Sequence, residues 1–85
     1  MKSFTHEIKD PLGLHARPAG MLVKAAAAYQ SAVTLEAPTG KADAKRIMAV
    51  MRLAAKQGMT LTVTCDGADE DQACEALKAF LAENL

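Results

Sequence analysis

The sequence predicts an α/β two-layer sandwich, open-faced, with its elements in the order βαββαβα. Three observations carry that expectation. Segments in which apolar and polar residues alternate, clearest from Thr60 to Cys65, mark strands with one solvated face. In three other segments apolar residues recur at helical spacing, so each helix has one face to bury. The chain has 85 residues, 51% of them hydrophobic, which is enough for one core and too little for two. Polar strand faces and one-sided helices fit together as a single sheet with all its helices on the other side, in one domain covering residues 1–85.

Each element follows in turn. Ser3 to Ile8 alternates, placing Phe4, His6 and Ile8 on the buried face, where His6 is expected to be partly buried, hydrogen-bonded and structural. Asp10-Pro11 signals a turn, and Gly13 supplies the permissive backbone it needs. A helix is expected from about Ala16 to Tyr29, with Ala19, Leu22, Val23 and Ala26 as its core stripe and the alanines of 25–28 favouring helix. Gly20, Met21 and Lys24 fall off that stripe. Val33 to Glu36 alternates again, Pro38-Thr39-Gly40 turns the chain, and Lys41 to Ala44 reads as a short return strand. Lys45 to Leu53 has helical spacing, but Ile47, Val50, Met51 and Leu53 are too many apolar groups for one narrow stripe, so some must be exposed. From Thr60 to Cys65, Leu61, Val63 and Cys65 point inward and the threonines outward. Asp69-Glu70-Asp71-Gln72 reads as a helix start, with Asp69 as cap and Gln72 reaching back. Ala73, Cys74, Leu77, Phe80 and Leu81 then form the stripe of the last helix.

Composition excludes several functions. Ten basic residues balance ten acidic ones, so the charge footprint of a general nucleic-acid binder is missing. No apolar run is long enough to span a membrane and the first residues lack a signal-peptide core, so a cytoplasmic location is expected. Cys65 and Cys74 have no CxxC or disulfide-framework spacing and are expected to be buried, structural thiols. His6, His15 and these cysteines lack the paired spacing of a metal site, so no metal is expected. Gly40-Lys41 is not a nucleotide loop, because Leu35 and Ala42 stand where a glycine and a Ser or Thr would be required. No nucleophile elbow or Ser-His-Asp signature is present either.

The chemistry centres on Gly13-Leu14-His15-Ala16-Arg17-Pro18, where a turn gives way to a helix. A helix start leaves backbone N–H groups unpaired and carries partial positive charge, so it attracts anions. His15 at the N-cap is expected to accept a bond from the first-turn amides through Nδ1, which leaves that nitrogen unprotonated and nucleophilic. Arg17 can direct a charged planar fork at phosphate oxygens, and Pro18 removes a donor the first turn does not need. Together with backbone from Ala16 to Pro18, this arrangement suits a histidine that carries phosphate covalently.

The motif, continued by similarity from Lys45 to Leu53 and through the last strand and helix, resembles HPr, the histidine-containing phosphocarrier family of the bacterial phosphoenolpyruvate:sugar phosphotransferase system. That resemblance covers essentially the whole chain. It implies a four-stranded antiparallel sheet of order 1-4-2-3 with three helices on one face. It implies that phosphate arrives from phospho-Enzyme I, rests on Nδ1 of His15 and passes to sugar-specific IIA domains, with Arg17 clamping the phosphoryl oxygens and no cofactor. Such a carrier is stoichiometric rather than a stand-alone catalyst and is ordinarily monomeric. Partner docking is implied for Gly20, Met21, Lys24, Ile47, Met48 and Met51, with Arg17, Lys24, Lys45, Arg46 and Arg52 as a basic rim. One departure is plain: kinase-regulated HPr proteins carry a serine immediately after the lysine of the second helix, and Arg46 stands there. Two other functions remain open on sequence, a nitrogen-branch or fructose-specific carrier and a noncatalytic regulatory binding module.

Overall fold

The computed structural model describes residues 1–85, as β1 (Lys2–Glu7), α1 (Ala16–Ala27), β2 (Ala32–Ala37), β3 (Gly40–Asp43), α2 (Ile47–Arg52), β4 (Thr60–Asp66) and α3 (Glu70–Asn84). Its strands form one antiparallel sheet of order β1-β4-β2-β3, as expected. The pairing follows from the alternation: with Phe4 opposite Val63 and Val63 opposite Leu35, the apolar side chains of three strands share one face. The reverse face carries Thr5 beside Thr62, and Ser3 and Thr34 on either side of Thr64. α3 lies against β1 and β4, α2 reaches β3, and α1 packs between the other two helices. Twenty apolar residues form one core, among them Ile8, Leu22, Leu35, Val50, Leu61, Leu77 and Leu81.

Element ends differ from the sequence expectation where polar groups intervene. α1 stops at Ala27, and the Ala28 and Tyr29 amides bond to Ala25 and Ala26 in tightened i−3 fashion. α2 begins at Ile47 because Asp43 captures the preceding amides, its Oδ1 accepting from Lys45 N at 2.9 Å and its carbonyl from Arg46 N at 3.0 Å. Of the four apolar groups crowded in this segment Val50 and Leu53 are buried, so the crowding read in the sequence is resolved by exposure of Ile47 and Met51.

Three expected polar arrangements are absent. Asp69 precedes α3 but makes no capping bond to it, and Gln72 does not reach back. Glu70 Oε1 instead accepts from Gly67 N at 3.2 Å. His6 is half-buried on the inner face as expected, yet its buried Nε2 has no hydrogen-bond partner. Cys65 is fully buried whereas Cys74 is only half-buried, and both are free thiols.

Candidate functional site

The turn that presents His15 is held from two directions. Asp10 Oδ1 accepts from Leu12 N at 2.8 Å and the Asp10 carbonyl from Gly13 N at 2.9 Å, which closes the turn. Gly13 has φ +68°, and a Cβ there would lie 2.4 Å from the Ala55 carbonyl oxygen, so a side chain is excluded on two counts. The same Ala55 oxygen accepts from Leu14 N at 2.9 Å, and Leu14 is buried. Its burial anchors the chain directly before His15. At the other end of the turn, the Leu85 backbone oxygen accepts from Lys9 N at 2.6 Å and Asp10 N at 3.2 Å, which brings the end of α3 to the same place.

His15 is the N-cap of α1, with extended backbone at φ −96° and ψ −175°. Its carbonyl accepts the first helical bond, from Ala19 N at 2.9 Å, but its imidazole makes no capping bond. The expected Nδ1 cap is therefore corrected: the ring is half-buried and uncommitted. The Ala16 and Arg17 amides find no acceptor in the chain, and Pro18 has none to offer. Two donors at the positive end of a 12-residue helix thus stand beside an imidazole with both nitrogens available.

His15, Arg17, Pro18 and Met21 line one shallow recess of about 210 Å³, completed by Asp10 and Asn84. Arg17 and Ala16 are exposed, whereas Pro18 is buried and fixes the first turn. Sequence reading gave no role to Asp10 beyond the turn and none to Asn84. Asn84 arrives from the far end of the chain, its amide donating to Phe80 O at 2.9 Å, and nothing local to the motif announces it.

The α2 residues do not enter this recess. Met48 is 65% exposed, Ile47 and Met51 are each 39% exposed, and Met21 on the neighbouring α1 is 41% exposed. Leu12, in the turn ahead of His15, is 73% exposed and was not singled out from sequence. Gly20 is half-buried, with open space where a Cβ would stand, and Lys24 is exposed. Two residues of the expected basic rim also make local contacts. Lys45 Nζ donates to the Tyr29 carbonyl at 2.8 Å, tying the end of α1 to the start of α2, while Arg46 lies 3.9 Å from the Asp43 carboxylate.

A free imidazole, orphan amides and a guanidinium at one helix start are what a transient phosphohistidine would require. Comparison with known proteins decides the family. Residues 2–83 match the family model described as the PTS HPr component phosphorylation site. The phosphocarrier protein HPr of Lysinibacillus sphaericus is 46% identical over 83 residues, covering 98% of this chain and 94% of the relative. The chain belongs to the HPr family. Among solved structures, the histidine-containing phosphocarrier protein of a mycoplasma superposes with a TM-score of 0.93 at 40% identity, covering 96% of this chain and 93% of that one. An HPr dimer from Thermoanaerobacter tengcongensis superposes with a TM-score of 0.77 at 38% identity, covering 98% of this chain and 95% of that one. The HPr fold accounts for the strand order, and phosphocarrier identity within the bacterial phosphotransferase system follows from family membership. No helix is long and apolar enough to cross a membrane.

Proposed function

We propose that Nδ1 of His15 accepts a phosphoryl group from phospho-Enzyme I and delivers it to the histidine of a sugar-specific IIA domain, in the cytoplasm and as a monomer. The observation that carries this reading is the uncommitted His15 ring beside the unpaired Ala16 and Arg17 amides. In the loading step the Nδ1 lone pair forms the new N–P bond as the donor's N–P bond breaks, and Nε2 keeps the ring proton. The incoming group brings about −1.5 to −2 charges. The helix start and the Arg17 guanidinium oppose that charge, with Arg17 folding over the phosphoryl oxygens. Because the same groups serve loading and unloading, the carrier needs no second acid or base.

Docking is assigned to the apolar surface of Met21, Ile47, Met48 and Met51, with Gly20 allowing close approach and Arg17, Lys24 and Arg52 at its edge. Unbranched methionines adapt to differently shaped partners, which suits a carrier that meets a donor and several acceptors. Arg46 offers no hydroxyl, so phosphorylation by an HPr kinase at that position is ruled out by chemistry.

Incubation with Enzyme I, magnesium and phosphoenolpyruvate, read by intact mass and phosphorus NMR, tests the proposal. One acid-labile phosphate on Nδ1, absent from His15→Ala, is the expected result. Labelling by a nitrogen-branch Enzyme I alone would move the protein to that branch. Failure to label with either donor would leave a binding module as the remaining use of the site.

A further inference from the structure

The large apolar side chains that the fold leaves exposed are not scattered. Apart from Met1 they are Leu12, Met21, Ile47, Met48 and Met51, while α3 and the solvated face of the sheet expose none. Met21 lines the His15 recess and the last three belong to α2, which packs on α1. Leu12 stands apart from both helices, in the turn three residues before His15, and is 73% exposed. Nothing in the core accounts for it: Leu12 lies outside the apolar cluster, and a turn position between a proline and a glycine favours Asp, Asn or Ser. The backbone nevertheless fixes it. Leu12 N donates to Asp10 Oδ1 at 2.8 Å and Gly13 N to the Asp10 carbonyl at 2.9 Å, while Leu14 N donates to the Ala55 carbonyl at 2.9 Å and buries its side chain. With both flanks held, the leucine is presented to solvent in one place, and a partner that covers it orders little further chain.

We infer that Leu12 is a docking residue for the phosphoryl donor, and that it extends the contact surface past His15 onto the turn. The inference rests on the phosphoryl-carrying reading above. Leu12 and His15 are three residues apart, so their Cα atoms lie within about 11 Å of each other. A standard interface covers about 800 Å² on each partner, a disc roughly 16 Å in radius. For a phosphoryl group to pass directly between two histidines, that disc must include His15 and close around the ring, or the transferring group stays open to water. Met21 and α2 supply apolar cover from the helices. On the turn the one large exposed apolar group is Leu12. The surface it fits is an apolar patch flanking the donor's own phosphohistidine. Leu12 touches no reacting atom, so its contribution is to affinity.

Steady-state phosphorylation by phospho-Enzyme I, with the concentration of the carrier varied, tests the assignment. Leu12→Ala should raise KM roughly fivefold to thirtyfold at unchanged kcat, the effect of truncating one well-packed anchor. Leu12→Met, which keeps the apolar volume, should bring KM back towards that of the unaltered protein. The thermal midpoint of Leu12→Ala should match the unaltered protein, since the side chain lies outside the core, so a raised KM is not a folding defect. The methyl signals of Leu12 should shift or broaden in NMR spectra when Enzyme I is added. An unchanged KM in folded Leu12→Ala, a fall in kcat alone, or Leu12 methyl signals indifferent to Enzyme I would each overturn the docking role while leaving His15 as the acceptor. No labelling of the unaltered protein would overturn the carrier reading itself, and the docking role with it.

Discussion

The carboxylate of Asp69 is bonded to Ser31, thirty-eight residues earlier, and not to the helix it introduces. Its Oδ1 accepts from Ser31 N at 2.9 Å and from the Ser31 hydroxyl, and its Oδ2 from Gln30 N at 2.9 Å. Ser31 is buried, and Gly67 is packed so tightly on it that a Cβ there would fall 2.7 Å from Ser31 Cα. One acidic side chain therefore joins the entrance of β2 to the entrance of α3.

That clamp makes part of the stability acid-sensitive. The Ser31 hydroxyl, then the Gln30 amide, hold the Asp69 carboxyl below its usual range. A lowered folded pKa contributes stability that is complete above the unfolded value and is lost as pH falls through the folded one. Asp69→Asn should thus melt below the unaltered protein at pH 7, with the gap closing below about pH 4. Thermal unfolding of both proteins from pH 7 to pH 2 measures this; a gap that stays constant with pH would contradict it.

At the alkaline end Cys65 acts in the opposite sense. Burial first, then the neighbouring Cys74, push its thiol from the ordinary value of 9.0 up to about 11. With the folded pKa raised, its contribution is intact below pH 9 and is lost as pH rises towards 11, by about 2–3 kcal/mol in all. Denaturant unfolding across that range, compared with Cys65→Ala, should show a steeper decline in the unaltered protein. Parallel curves would show that the thiol does not ionise on unfolding as argued.

Two glycines near the site should respond in opposite directions. Gly20 lies within α1 with nothing near its absent Cβ, so Gly20→Ala should stabilise the fold by about 0.5–1 kcal/mol. On the proposed docking surface the added methyl should also slow phosphoryl transfer, giving a protein that is harder to unfold and poorer as a carrier. Gly13→Ala, by contrast, meets the Ala55 carbonyl and a disfavoured φ, and should cost about 2–4 kcal/mol. Urea midpoints of the two variants give the comparison directly.

Ala54 carries a strain that its neighbours maintain. It follows α2 at φ +48°, the left-handed conformation normally given to glycine at a helix end. The segment is pinned there: Thr39 Oγ1 donates to the Leu53 carbonyl at 2.5 Å, and Ala55 supplies the oxygen that holds Leu14. Ala54→Gly should therefore stabilise the protein by about 0.5–1 kcal/mol without altering phosphoryl acceptance. A loss of stability in calorimetry would show that the turn relaxes more readily than its bonds allow.

The strands and the layering were legible because each is a local pattern with a period. Thr60 to Cys65 alternates so regularly that its inward set, Leu61, Val63 and Cys65, is the buried set observed. The candidate-site motif stood out for a related reason: a turn, a histidine and a helix start are contiguous, so His15 and Arg17 fall on one recess. Asp10 and Asn84 in that recess did not, because one is an ordinary turn residue and the other is delivered by the opposite end of the chain.

What the amino-acid sequence determined by itself was thus the set of elements, the inward face of each strand and the place where α1 begins, all consequences of short-range periodicity and backbone sterics. Tertiary structure decided which polar groups pair. Asp69 and His15 both stand at positions that invite helix capping, and neither caps, because Asp69 finds a buried serine from another loop and His15 is held in a turn anchored at Ala55. Hydrogen bonds act only at the distance of closest approach, and that distance is set by how the helices settle on the sheet, which no local pattern encodes.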